Sequence, residues 1–181
     1  MANSPMGLDF IQGVLGVVRL TFDSVELGKT VDEANIEFIE DIKDIMFAQD
    51  GTQPRDKVPT GQAYQVTCKL GQQTWARLQK LMRGITIAAD GSVKLGADLY
   101  RSGKDTFAKQ LVITRVDSDG TAWTDPMFRL TFYKAFPTVT GPIANFGPDT
   151  QRTVDVQFYM FRDSTHDNAF GFMGYETSLG L

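Results

Sequence analysis

The sequence predicts a mainly β protein, a β-sandwich or barrel of antiparallel strands with one flanking α-helix. Three observations favour this class. Apolar and polar residues alternate in many short runs, turn residues recur between the runs, and only one stretch has a clear helical repeat. The chain has 181 residues, 42% of them hydrophobic, which is enough for a domain with a hydrophobic core. We therefore predict a single domain over residues 1–181.

The first predicted strands follow an N-terminal arm. This arm covers residues 1–16, and its part Gly7–Gly16 is apolar and interrupted by glycines, a composition that suits a flexible or docking arm. Val17–Leu27 alternates as a strand does. The stretch Ala34–Ala48 has apolar residues at helical spacing, but its isoleucines and the glycine that follows favour two short strands. We expect a bulge or turn between these two strands, near Glu40 and Asp41.

A long polar segment, QDGTQPRDKVPTG from Gln49 to Gly61, interrupts the strands. Its two prolines and two glycines set turn conformations, and its charges oppose burial. Two interpretations remain open: a disordered surface loop between strands, or an ordered arm that docks onto a neighbouring copy. The run Gln62–Leu70 then alternates as a half-buried strand, with Cys68 on the apolar face as a small core residue.

One helix is predicted after this strand, with Thr74 as its N-cap and Gly84 at its end. The residues that share its apolar face are Trp75, Leu78, Leu81 and Met82. Its basic edge consists of Arg77, Lys80 and Arg83. Further alternating runs predict strands at Ile85–Ala88, Val93–Tyr100, Gln110–Val116, Phe128–Tyr133 and Val154–Phe161.

Charge is distributed unevenly along the chain. The segment Asp23–Asp50 contains nine acidic and two basic residues, a net charge of −7, whereas the whole chain carries −4. This balance argues against a dedicated nucleic-acid-binding protein. It fits either a solvated acidic surface or an acidic region that meets a basic region of another copy.

Residues typical of catalytic and metal sites are scarce. The chain has one histidine and one cysteine, and it lacks a nucleophile elbow, a P-loop and a dinucleotide fingerprint. Asp163, His166 and Asp167 are interpreted as part of a solvated loop. The carboxylates of the acidic segment lack the glycine and the spacing of a calcium loop. We predict a protein that is not an enzyme, with no catalytic residues, no metal and no cofactor.

The same composition bears on location. A single cysteine excludes an internal disulfide and favours a reducing compartment. No apolar run reaches the length needed to cross a bilayer, and no basic segment precedes an apolar stretch at the N-terminus. We therefore expect neither membrane insertion nor a signal peptide.

The order of these features resembles that of the major tail tube proteins of tailed phages, which are similar in fold to the inner tubes of contractile injection systems and type VI secretion. The resembling pieces are the acidic strand Asp41–Ala48, the segment QDGTQPRDKVPTG, the strand Ala63–Leu70 with the helix Thr74–Arg83, FRLTFYKAFP at Phe128–Pro137, and QRTVDVQFYMFRD at Gln151–Asp163. The N-terminal arm and the region Gly91–Phe107 lie outside the resemblance.

The resemblance implies a structural virion protein that assembles in the host cytoplasm into the phage tail. Six copies would close into a ring, and stacked rings would form a hollow tube through which DNA passes transiently. Implied partners are further copies of the chain, a tape-measure protein and other tail proteins. A polar loop and an N-terminal arm suit contacts between rings, and an acidic or neutral lumen would not retain DNA.

Three groups of residues are candidates for these contacts. The predicted inter-ring loop consists of Asp50, Gly51, Thr52, Gln53, Pro54, Arg55, Asp56, Lys57, Val58, Pro59, Thr60 and Gly61. The candidate lumen-facing acids are Glu37, Glu40, Asp41 and Asp44. The candidate inter-subunit basic edge is Arg77, Lys80 and Arg83, which offers the acids an alternative partner on an adjacent copy.

Two alternatives remain open at this stage. One is another tail component, such as a terminator, a distal tail ring or the tube of a contractile particle. The other is a non-enzymatic β-barrel binding module with Trp123, Tyr133 and Tyr159 along a ligand groove. Self-assembly into long tubes would distinguish the first alternative, and a monomer with a ligand pocket would identify the second.

Overall fold

The computed structural model describes residues 18–32, 34–46, 55–71, 73–82, 84–95, 107–117, 119–126, 129–143 and 153–175. The helix and strands in these ranges are β1 (Val18–Phe22), β2 (Val25–Lys29), β3 (Asn35–Ile45), β4 (Asp56–Gly71), α1 (Trp75–Leu81), β5 (Thr86–Ile87), β6 (Val93–Lys94), β7 (Lys109–Arg115), β8 (Arg129–Val139), β9 (Thr153–Phe161) and β10 (Gly171–Met173). The predicted class, mainly β with one flanking helix, is confirmed.

Eight of these strands form one antiparallel sheet in the order β2-β1-β7-β8-β9-β4-β3, with β10 paired to β8 beside β9. β5 and β6 form a separate hairpin. Within the described ranges the sheet does not close into a barrel. It curls far enough for an isolated bridge between Thr30 and Leu70, where the Val31 amide donates to the Lys69 carbonyl at 2.9 Å.

The core lies on the concave side of this sheet and follows from the alternation of the strands. Leu20 and Phe22 of β1 face Val66 and Phe158 of β4 and β9, and all four are almost fully buried. The rings of Phe22 and Phe158 lie 5.6 Å apart between centroids. The predicted core position of Cys68 is confirmed, because its side chain is buried in the same cluster.

Helix α1 begins where the sequence predicts it. The Thr74 hydroxyl accepts a hydrogen bond from the Arg77 amide at 3.4 Å, which caps the first turn. Leu78 and Leu81 are buried against the core. Trp75 was expected on the same apolar face, but its side chain is 47% exposed because it lies in the first turn, to one side of the buried pair.

The polar segment between the strands is shorter than the sequence predicts. Asp56–Gly61, assigned there to the loop, belong to β4 and pair with β3. β3 is also one continuous strand of 11 residues, not two short ones. The register shifts between Asp41 and Ile42, and the extra residue, Thr60, lies on β4. Pro59 sits beside this bulge, where a missing amide proton is tolerated.

Several predicted features lie outside the described residues. They are the N-terminal arm 1–16, residues 50–54 of the predicted inter-ring loop, Arg83 of the basic edge, and the second half of the predicted strand Val93–Tyr100. Elsewhere, β7 and β9 match the predicted strands closely, and β8 extends the predicted Phe128–Tyr133 strand by six residues to Val139.

Candidate functional site

The β3–β4 hairpin is the most exposed part of the described structure. β3 lies at the edge of the sheet, where β4 is its one partner strand. Ten of its eleven residues are exposed, and so are Asp56–Thr60 at the start of β4. The alternation of buried residues on β4 begins only at Val66. The two arms of the hairpin therefore extend beyond the hydrophobic core.

The position of the bulge decides which way each acid points. Because the extra residue is on β4, alternation along β3 is uninterrupted. Ile36 pairs with buried Val66, so the even-numbered residues of β3 share the side of the sheet that carries the core. Glu40 and Asp44 lie on this side. The odd-numbered acids, Glu37 and Asp41, lie on the opposite side.

Four large apolar residues form an exposed row on the core side of β3 and just beyond its end. We call Ile36, Phe38, Ile42 and Met46 the apolar stripe; their exposed fractions lie between 40% and 54%. The ring of Phe38 packs against Tyr64 at 5.1 Å, and Tyr64 in turn contacts Phe170 at 5.2 Å. The aromatic layer of the core thus continues to the sheet edge, where solvent reaches it. Several exposed apolar side chains on one side of an edge strand are typical of interaction sites.

Polar contacts alternate with the stripe along the hairpin. Gln62 donates to the Glu40 carboxylate at 3.2 Å and accepts from Arg162 at 3.3 Å, which links β3 and β4 to the residue that follows β9. Lys57 and Asp44 form an ion pair at 3.7 Å near the end of the hairpin. These groups are exposed, so they contribute little to folding stability. Glu40 and Asp44 lie within the row of the stripe, between Phe38 and Ile42 and between Ile42 and Met46.

The two described residues of the predicted basic edge, Arg77 and Lys80, contact different groups. Lys80 makes an ion pair with Asp23 of the β1–β2 turn at 2.6 Å. The Arg77 guanidinium reaches the backbone of β2, where a Cβ on Gly28 would come within 2.9 Å of Nη1. Gly28 has a φ of +94°, so both the space and the backbone conformation favour glycine there.

A second polar cluster lies between β9 and β10, where the sequence predicted a solvated loop. That prediction is wrong for Asp163, whose side chain is only 9% exposed. Its carboxylate accepts hydrogen bonds from Lys134 at 3.1 Å and from the Thr165 amide at 3.1 Å, and it contacts His166 Nδ1 at 2.9 Å. The imidazole stacks on Tyr133 at 3.9 Å. Asp167 is exposed, as predicted.

The cluster has an electrostatic signature and a structural role. The hydrogen bond from His166, followed by those from Thr165 and Lys134, lowers the pKa of Asp163 well below its usual range, although burial acts in the opposite direction. A bridge between Asp163 and Ala169 closes the turn. The cluster thereby fixes the path by which the chain leaves β9 and returns along β8 as β10.

Asp163→Asn is expected to destabilise the protein in a pH-dependent way. A carboxyl whose folded pKa is lowered contributes stability above its unfolded pKa of about 3.9, and the contribution is lost as the pH falls towards the folded value. The variant should therefore unfold at lower urea concentration at pH 7, and the difference should shrink below about pH 4. Urea unfolding followed by circular dichroism between pH 3 and 7 measures this. Asp167→Asn is the exposed control; a difference independent of pH would contradict the assignment.

The described residues offer little reactive chemistry. Burial, and then the charge of Asp155, raises the pKa of the Cys68 thiol to about 12, so it stays protonated. Across the described ranges, no three His, Cys, Asp or Glu side chains are grouped as metal ligands. No described helix has the length and apolar composition to span a bilayer.

The aromatic residues of the proposed ligand groove have different neighbours. Trp123 lies under the Arg115 guanidinium at 4.2 Å and donates to Asp117. Tyr133 is buried against His166. Tyr159 is exposed on the opposite side of the sheet from the core, where it donates to Gln157 at 3.0 Å. The three residues therefore have separate local environments: Trp123 lies between β7 and β8, Tyr133 on β8 and Tyr159 on β9.

Comparison with known proteins identifies no family. No family model matches the chain, and no curated protein matches it. Among solved structures, the chain is similar to a chain of the sheath–tube complex, in the extended state, of an extracellular contractile injection system called PVC. The identity is 13%, the TM-score is 0.49, and the match covers 88% of this chain and 92% of that chain. A similarity at this level does not identify a function.

Proposed function

We propose that the protein is a non-enzymatic structural subunit that associates with copies of itself into six-membered rings, which stack into the hollow tail tube of a phage. The exposed β3–β4 hairpin, with its unpaired edge strand and apolar stripe, is the observation that carries this proposal. The hexameric ring and the virion setting come from the resemblance to tail tube proteins.

The sheet offers two complementary edges for a ring. β3, β4, β9 and the second half of β8 form four consecutive antiparallel strands. One edge of this group is β3. The other is Phe136–Val139 of β8, for which β9 is the one described partner strand. Because the outer strands run in opposite directions, β3 of one copy can join β8 of the next without interrupting the antiparallel pattern.

Such a contact explains the exposed edges. Two different surfaces meet, so the interface is heterologous and the copies close into a ring when the rotation per copy allows it. A closed ring also covers the backbone donors and acceptors that an edge strand exposes. The end of the hairpin, from Ile42 onward, extends past the region that pairs with the rest of the sheet, so we assign it to contacts between stacked rings.

The acids divide between two surfaces in this assembly. Glu37 and Asp41 share the side opposite the core with Gln65, Thr67 and the exposed Ile39. Two lysines lie on the same side: Lys69 forms an ion pair with Asp32 at 2.8 Å, and Lys43 lies towards the end of the hairpin. We propose that this side lines the channel, where acidic and neutral groups would not retain DNA phosphates. Glu40 and Asp44, which were also candidates for the lumen, are assigned to the contact surface instead.

Self-assembly tests this function. The purified protein, measured by light scattering over a range of concentrations and imaged by negative-stain electron microscopy, is expected to form rings and hollow tubes. An added tail tip complex would serve as initiator if spontaneous assembly is slow. Single rings that never elongate would favour a terminator or distal ring, and a strict monomer in both conditions would contradict the proposal. Retention of a double-stranded DNA fragment by the tubes would contradict the acidic lumen.

A further inference from the structure

The apolar stripe is exposed in the protomer, and the position of α1 suggests which surface of a second copy contacts it. α1 packs against β2, β5 and β8 within its own protomer. Its buried residues, Leu78 and Leu81, point into the core, so the helix lies on the core side of the sheet. The stripe is on that same side of β3. Trp75 of α1 and Phe38 of the stripe are 47% and 51% exposed in the protomer, so both are available to a neighbouring copy.

The flanks of the helix differ in character. Arg77 and Lys80 point towards β2 and the β1–β2 turn, where they meet the Gly28 backbone and Asp23. At 100° per residue, Trp75 and Gln79 lie on the other flank, away from β2. Both are exposed, and Trp75 is the largest exposed side chain of the helix. Tryptophan is one of the residues most enriched at the energetic centres of protein interfaces.

The ring contact brings these surfaces together. When β3 of one copy pairs with Phe136–Val139 of the next copy, the core side of β3 lies next to the core side of the neighbour's β8. Helix α1 of that neighbour packs against β8. The first residues of the stripe, Ile36 and Phe38, lie at the end of β3 that pairs with the part of β4 nearest to α1. Ile42 and Met46 lie further away, towards the end of the hairpin.

The two elements, β3 and α1, also carry opposite net charges, and these act at long range because Arg77 and Lys80 lie on the flank of α1 that faces β2. β3 carries four acids and one lysine, a net charge of −3. Helix α1 carries Arg77 and Lys80 and no acid, a net charge of +2. Opposite fields of this kind steer association and oppose incorrect pairings.

We propose that Trp75 of one copy covers Ile36 and Phe38 of the neighbouring copy in the same ring. This inference rests on the proposed ring, and it names the side chains that seal the contact on the core side of the sheet. Trp75 is thus an interface residue, and its exposure in the protomer is relieved on assembly. The stripe is divided between two contacts: its first half is covered within the ring and its second half between rings.

Disulfide cross-linking between two single variants tests the inference. Trp75→Cys and Phe38→Cys proteins, mixed, assembled and oxidised, are expected to give a covalent dimer that neither variant gives alone. Ile39→Cys is the matched control, because Ile39 is the next residue on β3, is 41% exposed, and lies on the opposite side of the strand. It should not cross-link to Trp75→Cys. Cys68 is buried, so it should not contribute.

A second measurement does not depend on cysteine geometry. Trp75→Ala should fold as the parent does, because the side chain is exposed, but should weaken ring formation by roughly thirtyfold, the effect of losing one interface hot spot. Two results would overturn the inference while the proposed function stands. One is normal ring formation by Trp75→Ala; the other is equal cross-linking of Trp75→Cys to Phe38→Cys and to Ile39→Cys. A parent protein that never assembles would overturn both.

Discussion

Replacement of residues 42–60 by an Asn-Gly turn is expected to give a folded protein that forms single rings but no tubes. Asp41 and Gly61 are direct partners across β3 and β4, so a two-residue turn fits between them. The described residues that are removed are exposed or half-exposed and lie outside the core, so the free energy of unfolding should change by about 1 kcal/mol or less. The remaining Asn35–Asp41 keeps the edge that pairs within a ring.

Two point variants make this test more specific. Ile42→Ser removes an exposed residue of the apolar stripe, whereas Lys43→Ser changes the adjacent residue on the other side of β3. We expect shorter tubes from the first variant and normal tubes from the second, as measured by the length distribution in negative-stain images. Tubes of normal length from the hairpin replacement would show that stacking depends on another surface.

Phe158→Ala is expected to cost about 3–5 kcal/mol of folding stability, the usual loss for a fully buried aromatic ring. Phe158 has no solvent exposure, lies in β9 between β8 and β4, and contacts Phe22 across the core. Because small domains are stable by only about 5–15 kcal/mol, a loss of this size would leave much of the chain unfolded at moderate temperature. Urea unfolding at pH 7 measures the difference from the parent.

Tyr159→Ala is the matched control for this prediction. Tyr159 is the next residue on the same strand, but it points to the opposite side of the sheet and is 41% exposed. Its truncation removes a ring of similar size at the surface, so the loss should be no more than about 1 kcal/mol. Equal losses from the two variants would contradict the assignment of the core to the side of the sheet that Phe158 faces.

The core strands were predictable because their alternation is uninterrupted. β4 from Val66, β7 and β9 each bury every second residue in the pattern that the sequence indicates. The start of β4 was not predictable in the same way. Prolines, glycines and charges indicated a loop, but in the structure Val58 and Pro59 are held in a strand by cross-strand pairing with β3. A strand with both faces exposed has no apolar alternation to reveal it.

The candidate site was predictable only in part. The sequence showed that the acidic segment was unusual, but the face of each acid depended on whether the extra residue lay on β3 or on β4, which no local pattern specifies. Burial of Asp163 was missed because one of its partners, Lys134, is on another strand and 29 positions away in sequence. Pairing of this kind is set by tertiary structure. The exposure of Trp75 was not predictable from periodicity, because Trp75 lies only about 60° around the helix axis from the buried Leu78.

The bulge at Thr60 also constrains which changes in length the hairpin tolerates. A one-residue insertion in β3 between Glu37 and Asp41 would turn every residue beyond it to the opposite side of the strand, moving Ile42 and Met46 off the core side and Asp41 onto it. Only an insertion of two residues would keep both sides of β3 unchanged. β4 already contains one unpaired residue, Thr60, opposite this part of β3, and the gain or loss of such a residue changes only the local twist of the strand. During divergence, therefore, single-residue insertions and deletions should accumulate on one arm of the hairpin, while the other keeps its length.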